Sequence, residues 1–210
     1  HDDVITLGTD DWVRISFDHF SHDYHRFIYK IIHCNADWST SDLFEVDYMD
    51  GFNNQPIEDY ENSLNTTMLY THYRLDLPND DIQFKASGNY RVEIYLDEDD
   101  DNSLAAVACF RIVEPEMALS ATISSNTDID TNLSHQQISF TVNYNSNEVL
   151  DPSTEIKPYI YQNSRTDNFV SLAKPTYISP GHAEYTHNKA LIFPAGNEYR
   201  RFEVINMHYA

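Results

Sequence analysis

The chain has 210 residues, with 13 lysines and arginines against 34 aspartates and glutamates, which gives a net charge of -21. That balance makes contact with phosphate backbones or anionic lipid unfavourable, so nucleic acid is not expected as a partner. No stretch approaches the length of apolar sequence that a membrane-spanning helix needs, and membrane insertion is not expected either.

The length suits one large or two small domains, and two are expected. The acidity is uneven: residues 1–115 carry 7 basic and 24 acidic side chains, net -17, whereas 116–210 carry 6 and 10, net -4. The 15 tyrosines, 11 phenylalanines and 2 tryptophans exceed what a disordered acidic tract holds and favour pleated, half-buried surfaces, so the chain reads as folded and β-rich. It opens on His1-Asp2-Asp3 with neither an initiator methionine nor an apolar signal core, as a processed exported protein would.

In chain order, an alternating run from Trp12 to Phe17, the polar turn 19–23 and a second run from Tyr24 to Cys34 predict a β-hairpin. From Trp38 to Tyr70 no period is sustained, which predicts a long structured loop packed down by Phe44, Tyr48, Phe52 and Tyr60. Strand character returns at Thr71–Leu77, around Ile82–Lys85 and at Tyr90–Leu96. The last of these pairs with Ala106–Val113 as a hairpin whose tip is acidic. Glu114-Pro115 ends that strand and sets a domain boundary at about 115–117. Seven further runs follow: Ala118–Ser124, Gln137–Tyr144, Ile156–Gln162, Tyr177–Ile178, His182–Thr186, Ala190–Phe193 and Tyr199–His208. The expected fold is all-β, with two tandem immunoglobulin-like β-sandwich domains over 1–115 and 116–210, the second continuing beyond Ala210.

Several constellations invite chemistry. The run Asp97–Asn102 resembles a calcium loop, but counting from Asp97 puts Asn102 where an EF-hand needs glycine and Ala108 where it needs a bidentate carboxylate, so a solvated hairpin tip is expected. His19, His22 and His25 bridge a turn rather than line a helix, and read as surface histidines rather than metal ligands. His33 and His72 read as hydrogen-bonded rings. Cys34 and Cys109 are either free or one disulfide, with free thiols favoured. Asn65-Thr66-Thr67 and Asn132-Leu133-Ser134 match a glycosylation pattern that arises readily by chance here. HExxH, GxSxG, GxGxxG and Walker A patterns are absent, so zinc, acyl-transfer and nucleotide chemistry each lack their usual scaffold, and neither a metal nor a cofactor is expected.

One block is more idiosyncratic: His33-Cys34-Asn35-Ala36-Asp37-Trp38, Tyr48–Asn53, Ile57–Thr67, Tyr70–Leu75, Leu77-Pro78-Asn79-Asp80 and Ser87-Gly88-Asn89-Tyr90, joined later by Gly196–Glu203. It resembles the N-terminal portion of the type IX secretion system plug proteins of Bacteroidetes. The resemblance implies a periplasmic protein, exported by a cleaved signal peptide, that docks on an outer-membrane β-barrel translocon and closes it without catalysis. The loop asparagines can satisfy their own backbone and tolerate positive φ, so the loop is expected to be rigid, with Tyr48, Phe52, Asn53, Tyr60, Asn62, Asn65 and Tyr70 as the partner-binding candidates. The rival reading is an exported glycan-binding module in which exposed tyrosines and Trp38 stack on sugar rings. A third is a hydrolase with a dispersed carboxylate pair.

Overall fold

The computed structural model describes residues 4–97, 103–132, 134–145, 148–163, 168–171 and 173–196. The protein is all-β, and it divides into two compact units, His1–Pro115 and Glu116–Ala210.

The described residues of the first unit form ten strands: β1 (Val4–Thr6), β2 (Val13–His19), β3 (Phe27–Cys34), β4 (Met49–Asp50), β5 (Gln55–Pro56), β6 (Asp59–Asn62), β7 (Thr71–Leu77), β8 (Gln83–Phe84), β9 (Gly88–Leu96) and β10 (Ser103–Val113). A one-turn helix, α1, occupies Glu45–Tyr48. A five-stranded sheet runs β1-β10-β9-β3-β5 and a three-stranded sheet runs β2-β7-β6, with β4 and β8 as a separate pair. Strict alternation drives these strands: in β7, Thr71, Tyr73, Leu75 and Leu77 are buried while His72, Arg74 and Asp76 face outward. The two sheets share one core, into which Phe27, Tyr29 and Ile31 project from one and Tyr73, Leu75 and Leu77 from the other. Phe27 meets Phe17 and Tyr73 edge-on across it, at centroid separations of 5.0 and 4.8 Å. Each such pair contributes about 0.5–1.5 kcal/mol beyond its area burial.

The expected hairpin between the first two runs does not form. β2 pairs with β7, from Val13 opposite Leu77 to His19 opposite Thr71, while β3 pairs with β9 in the other sheet. The connection crosses between layers because Tyr73 claims its backbone: the Tyr73 hydroxyl donates to the His25 carbonyl at 2.9 Å and accepts from the His25 N–H at 3.0 Å. The segment 38–70, expected as one loop, contains α1 and three short strands, β4, β5 and β6. These strands pair with β8, β3 and β7, partners that no local window of the segment contains. The β9–β10 hairpin forms as expected, with a register shift between Leu104 and Ala106, and residues 98–102 of its acidic tip lie outside the described residues.

The second unit contains β11 (Ala118–Ser124), β12 (His135–Asn143), β13 (Tyr159–Tyr161), β14 (Phe169–Ser171), β15 (Tyr177–Ser179), β16 (His182–Tyr185) and β17 (Ile192–Pro194). One sheet runs β11-β12-β16-β15 with β17 also on β12, and β13 pairs with β14. Phe140, Val142 and Tyr144 pack against Ala183, Tyr185 and Leu191 to form its core. Strand β14 was not expected, and a 3-10 turn at Lys189–Leu191 takes the start of the run expected from Ala190. The run Tyr199–His208 lies outside the described residues.

Candidate docking surface

The surface begins at the end of β3. Asn35 to Trp38 form a turn in which the Trp38 N–H donates to the Asn35 carbonyl at 2.9 Å and Asn35 N–H to the Ser39 carbonyl at 2.8 Å. The Asp37 carboxylate accepts from the Ser39 hydroxyl and N–H, which holds its pKa below the ordinary carboxylate range. Trp38 adopts φ +67°, a left-handed conformation that a bulky residue rarely takes, and the Arg111 guanidinium lies 5.2 Å from its ring centroid.

α1 then turns Tyr48 inward. Its hydroxyl donates to the Ile31 carbonyl at 3.0 Å, and its ring stacks on His33 at 5.6 Å. Burial pushes the Tyr48 pKa up. Gly51, at φ +119°, passes so close to Asp81 that a Cβ would stand 2.1 Å from the Asp81 carbonyl oxygen. Asn53 is the next brace: its Oδ1 accepts from Ile31 N–H at 2.7 Å, and its Nδ2 donates to the Ile31 carbonyl at 3.1 Å and to Glu45 Oε1 at 2.7 Å. Asn54 N–H to Tyr29 O and Ile57 N–H to Phe27 O continue the attachment along β3.

At the far end of the segment, Asn62 Nδ2 donates to the His22 carbonyl at 3.2 Å, and its Oδ1 accepts from the Thr71 hydroxyl at 3.0 Å. Ser63 and Tyr70 close the β6–β7 turn through Ser63 N–H to Tyr70 O and Tyr70 N–H to Ser63 Oγ, while Asn65 takes φ +57° between them.

The seven candidate residues therefore fall into two groups. Tyr48, Phe52 and Asn53 belong to the stretch attached to β3, and Tyr60, Asn62, Asn65 and Tyr70 to β6 and the turn that follows it. Tyr48 is only 5 % exposed, so it offers a partner nothing and acts from inside. Asn53 and Tyr70 are half-buried, and Asn62 is exposed but committed to the His22 carbonyl. Phe52 is 77 % exposed and Tyr60 is exposed, its ring tilted against Tyr24 at 4.9 Å. Of the four expected anchors, Phe44, Phe52 and Tyr60 are exposed and Tyr48 alone is buried. Asparagine amides share the anchoring with Tyr48. Phe20, Leu64, Met68 and Leu69 are exposed as well and were not singled out in the sequence, because an exposed loop leucine carries the same letter as a core one.

Other constellations resolve differently. His19 and His25 pack ring against ring at 4.5 Å, whereas His22 turns away and bonds the Ser63 carbonyl. Among the described residues no group of three or more His, Cys, Asp or Glu side chains is placed to hold a metal ion. His33 is an interior ring, held by Ser41 Oγ at 2.8 Å and the Ser87 carbonyl at 3.1 Å, and His72 contacts Asp18 at 2.6 Å. Cys34 is a buried and Cys109 an exposed free thiol. A hydrolytic pair needs one carboxyl group held protonated. The described carboxylates with shifted pKa values, Asp11, Asp37, Asp76, Asp128, Asp130 and Asp151, are all shifted down. Among the described residues no helix is long and apolar enough to cross a membrane.

The first unit is thus an all-β domain that holds a long connection rigidly by side-chain amides and leaves apolar groups of it in water. The family model for the first domain of the type 9 secretion system plug protein matches residues 1–114, and the chain belongs to that family. Membership ties it to type IX secretion. A crystal structure of a hypothetical protein from Parabacteroides merdae ATCC 43184 superposes with a TM-score of 0.84 at 45% identity, covering 99% of this chain and 52% of that one. The chain therefore spans about half the length of that relative. No curated protein matches it.

Proposed function

We propose that this chain is part of a non-enzymatic periplasmic protein, exported by a cleaved signal peptide, that docks on the outer-membrane β-barrel translocon of the type IX secretion system and closes it when no substrate is in transit. The observation that carries the proposal is the bracing of segment 38–70: Asn53 and Asn62 commit their amides to their own domain while Phe52, Tyr60 and their exposed neighbours stay in water. A segment ordered before contact loses little entropy on binding, and rigid aromatics give large contact area. Phe52, Tyr60 and Asn65 are the partner-facing residues of this account, and Tyr48, Asn53, Asn62 and Tyr70 hold them in place.

The test is affinity purification of the tagged full-length protein from native envelopes, with mass spectrometry of what accompanies it. A very large outer-membrane barrel is expected. Recovery of surface-glycan machinery alone, together with binding to a polysaccharide array, would replace this account with the glycan-module one.

A further inference from the structure

Two turns meet at one end of the three-stranded sheet. Register places His19 of β2, Thr71 of β7 and Asn62 of β6 side by side, so the connection 20–24 and the turn 63–70 leave the sheet together. They are stitched to one another: His22 Nε2 donates to the Ser63 carbonyl at 3.1 Å, Asn62 Nδ2 to the His22 carbonyl at 3.2 Å, and the Thr71 hydroxyl to the Ser21 carbonyl at 2.8 Å. Within the second turn the Thr66 hydroxyl donates to the Met68 carbonyl at 2.7 Å. Yet the large side chains carried by this bonded frame point into water: Phe20 is 74 % exposed, Leu64 78 %, Met68 64 % and Leu69 56 %. Beside them Tyr24 and Tyr60 form an exposed ring pair. Single exposed apolar residues are ordinary, but here four are carried by two turns that are hydrogen-bonded to each other, a concentration of the kind that marks an interaction site.

We propose that these turns form one rigid apolar knob that enters a pocket on the partner protein whose floor is apolar and whose rim carries lysine or arginine. The proposal rests on the docking role above and names the element that makes the contact. The rim follows from charge. Asp23 lies within the first turn, and Asp18, Asp59 and Glu61 lie on the adjoining strands. Arg74, on the neighbouring strand, pairs with Glu61 at 2.8 Å and Asp59 at 3.5 Å, and His72 contacts Asp18 at 2.6 Å, which offsets part of this charge and leaves an acidic excess. A side chain that inserts into a bilayer surface is normally flanked by cationic groups, and this knob has acidic ones, so a protein pocket fits and a lipid surface does not. Complementary rim charge raises the association rate, and salt weakens it.

The test places a photo-crosslinking amino acid at Phe20 or at Leu64 of the full-length protein in cells of the source organism, with a third probe at Val107, which is exposed on the five-stranded sheet. Crosslinks from positions 20 and 64, but not 107, to a translocon segment bearing apolar residues flanked by Lys or Arg are expected. Leu64→Asp should lower recovery of the translocon about tenfold or more, as removal of a central interface anchor does, with the thermal melt unchanged because the position is exposed. Crosslinks to the translocon from 107 alone, or from 20 and 64 to lipid, overturn the knob and leave docking standing. Absence of translocon crosslinks from all three positions, with no co-purification, overturns both.

Discussion

Asn53 acts on Ile31 as a strand neighbour would. A single side-chain amide accepts from the Ile31 N–H at 2.7 Å and donates to the Ile31 carbonyl at 3.1 Å, and thereby extends the β3 edge where the chain itself has turned away. Ile31 is fully buried, so neither backbone group has water as an easy substitute. Asn53→Ala is expected to cost about 2–3 kcal/mol in urea unfolding, since it strands one donor and weakens one acceptor. Asn53→Asp should cost at least as much, because it loses the donor to Ile31 and sets a second carboxylate beside Glu45. A loss under about 0.5 kcal/mol for both would show that the bridge is not what holds the segment.

A second relationship fixes residue 88. Gly88 has φ +146°, and a Cβ there would stand 2.3 Å from His33 Nε2. The His33 ring is held on both sides and cannot retreat without losing Ser41 and the Ser87 carbonyl. Gly88→Ala should destabilise the first unit by about 2–4 kcal/mol, from overpacking added to backbone strain. Gly8→Ala is the comparison: its φ is +76° but nothing lies within 4 Å, so only the left-handed penalty of about 1–2 kcal/mol applies. Equal thermal shifts for the two variants would contradict the steric account.

Tyr185 lies in the core of the second unit, its ring stacked on Phe140 at 4.3 Å, and among the described residues no group bonds its buried hydroxyl. Tyr185→Phe retains the stacking and removes a polar atom, so the unfolding free energy should hold or rise, by up to about 1 kcal/mol. A marked loss would mean that the hydroxyl has a partner.

Asp130 supplies a pH signature. The His135 ring, with Nδ1 at 2.7 Å, is the main influence that lowers its pKa, helped by the Thr127 hydroxyl and the Ser134 N–H, and the result is about 2. The unfolded chain therefore binds this proton more readily than the folded one. The stabilisation is fully present above the ordinary carboxylate value of about 4 and is lost as pH falls through about 2. Carbon-detected NMR titration of the Asp130 carboxyl should give a midpoint near 2, and His135→Ala should raise it. A midpoint that ignores His135 would remove the imidazole from the explanation.

The strands of the first unit were legible because their alternation is strict, as in Thr71–Leu77, and the β9–β10 hairpin because its partners are adjacent in sequence. The pairing of β2 was not. Trp12–Phe17 would satisfy its pattern equally well against β3 or β7, and the choice is made by Phe27 and Tyr73 meeting across the core, a contact no local window contains. The asparagine-rich segment was recognisable as structured, but which of its aromatics face inward was not. Tyr48 and Phe52 are four residues apart and both aromatic, and the turn at α1, the Tyr48 hydroxyl bond to the Ile31 carbonyl and the close passage of Gly51 against Asp81 send one to the core and the other to water.

The most direct test of the central claim is the conductance of the purified translocon in a planar bilayer, before and after addition of the full-length protein. The account predicts open-channel current from the barrel alone, current suppressed by the wild-type protein, and little suppression by the Leu64→Asp variant. Current that persists at saturating wild-type protein would contradict the claim that this protein closes the pore.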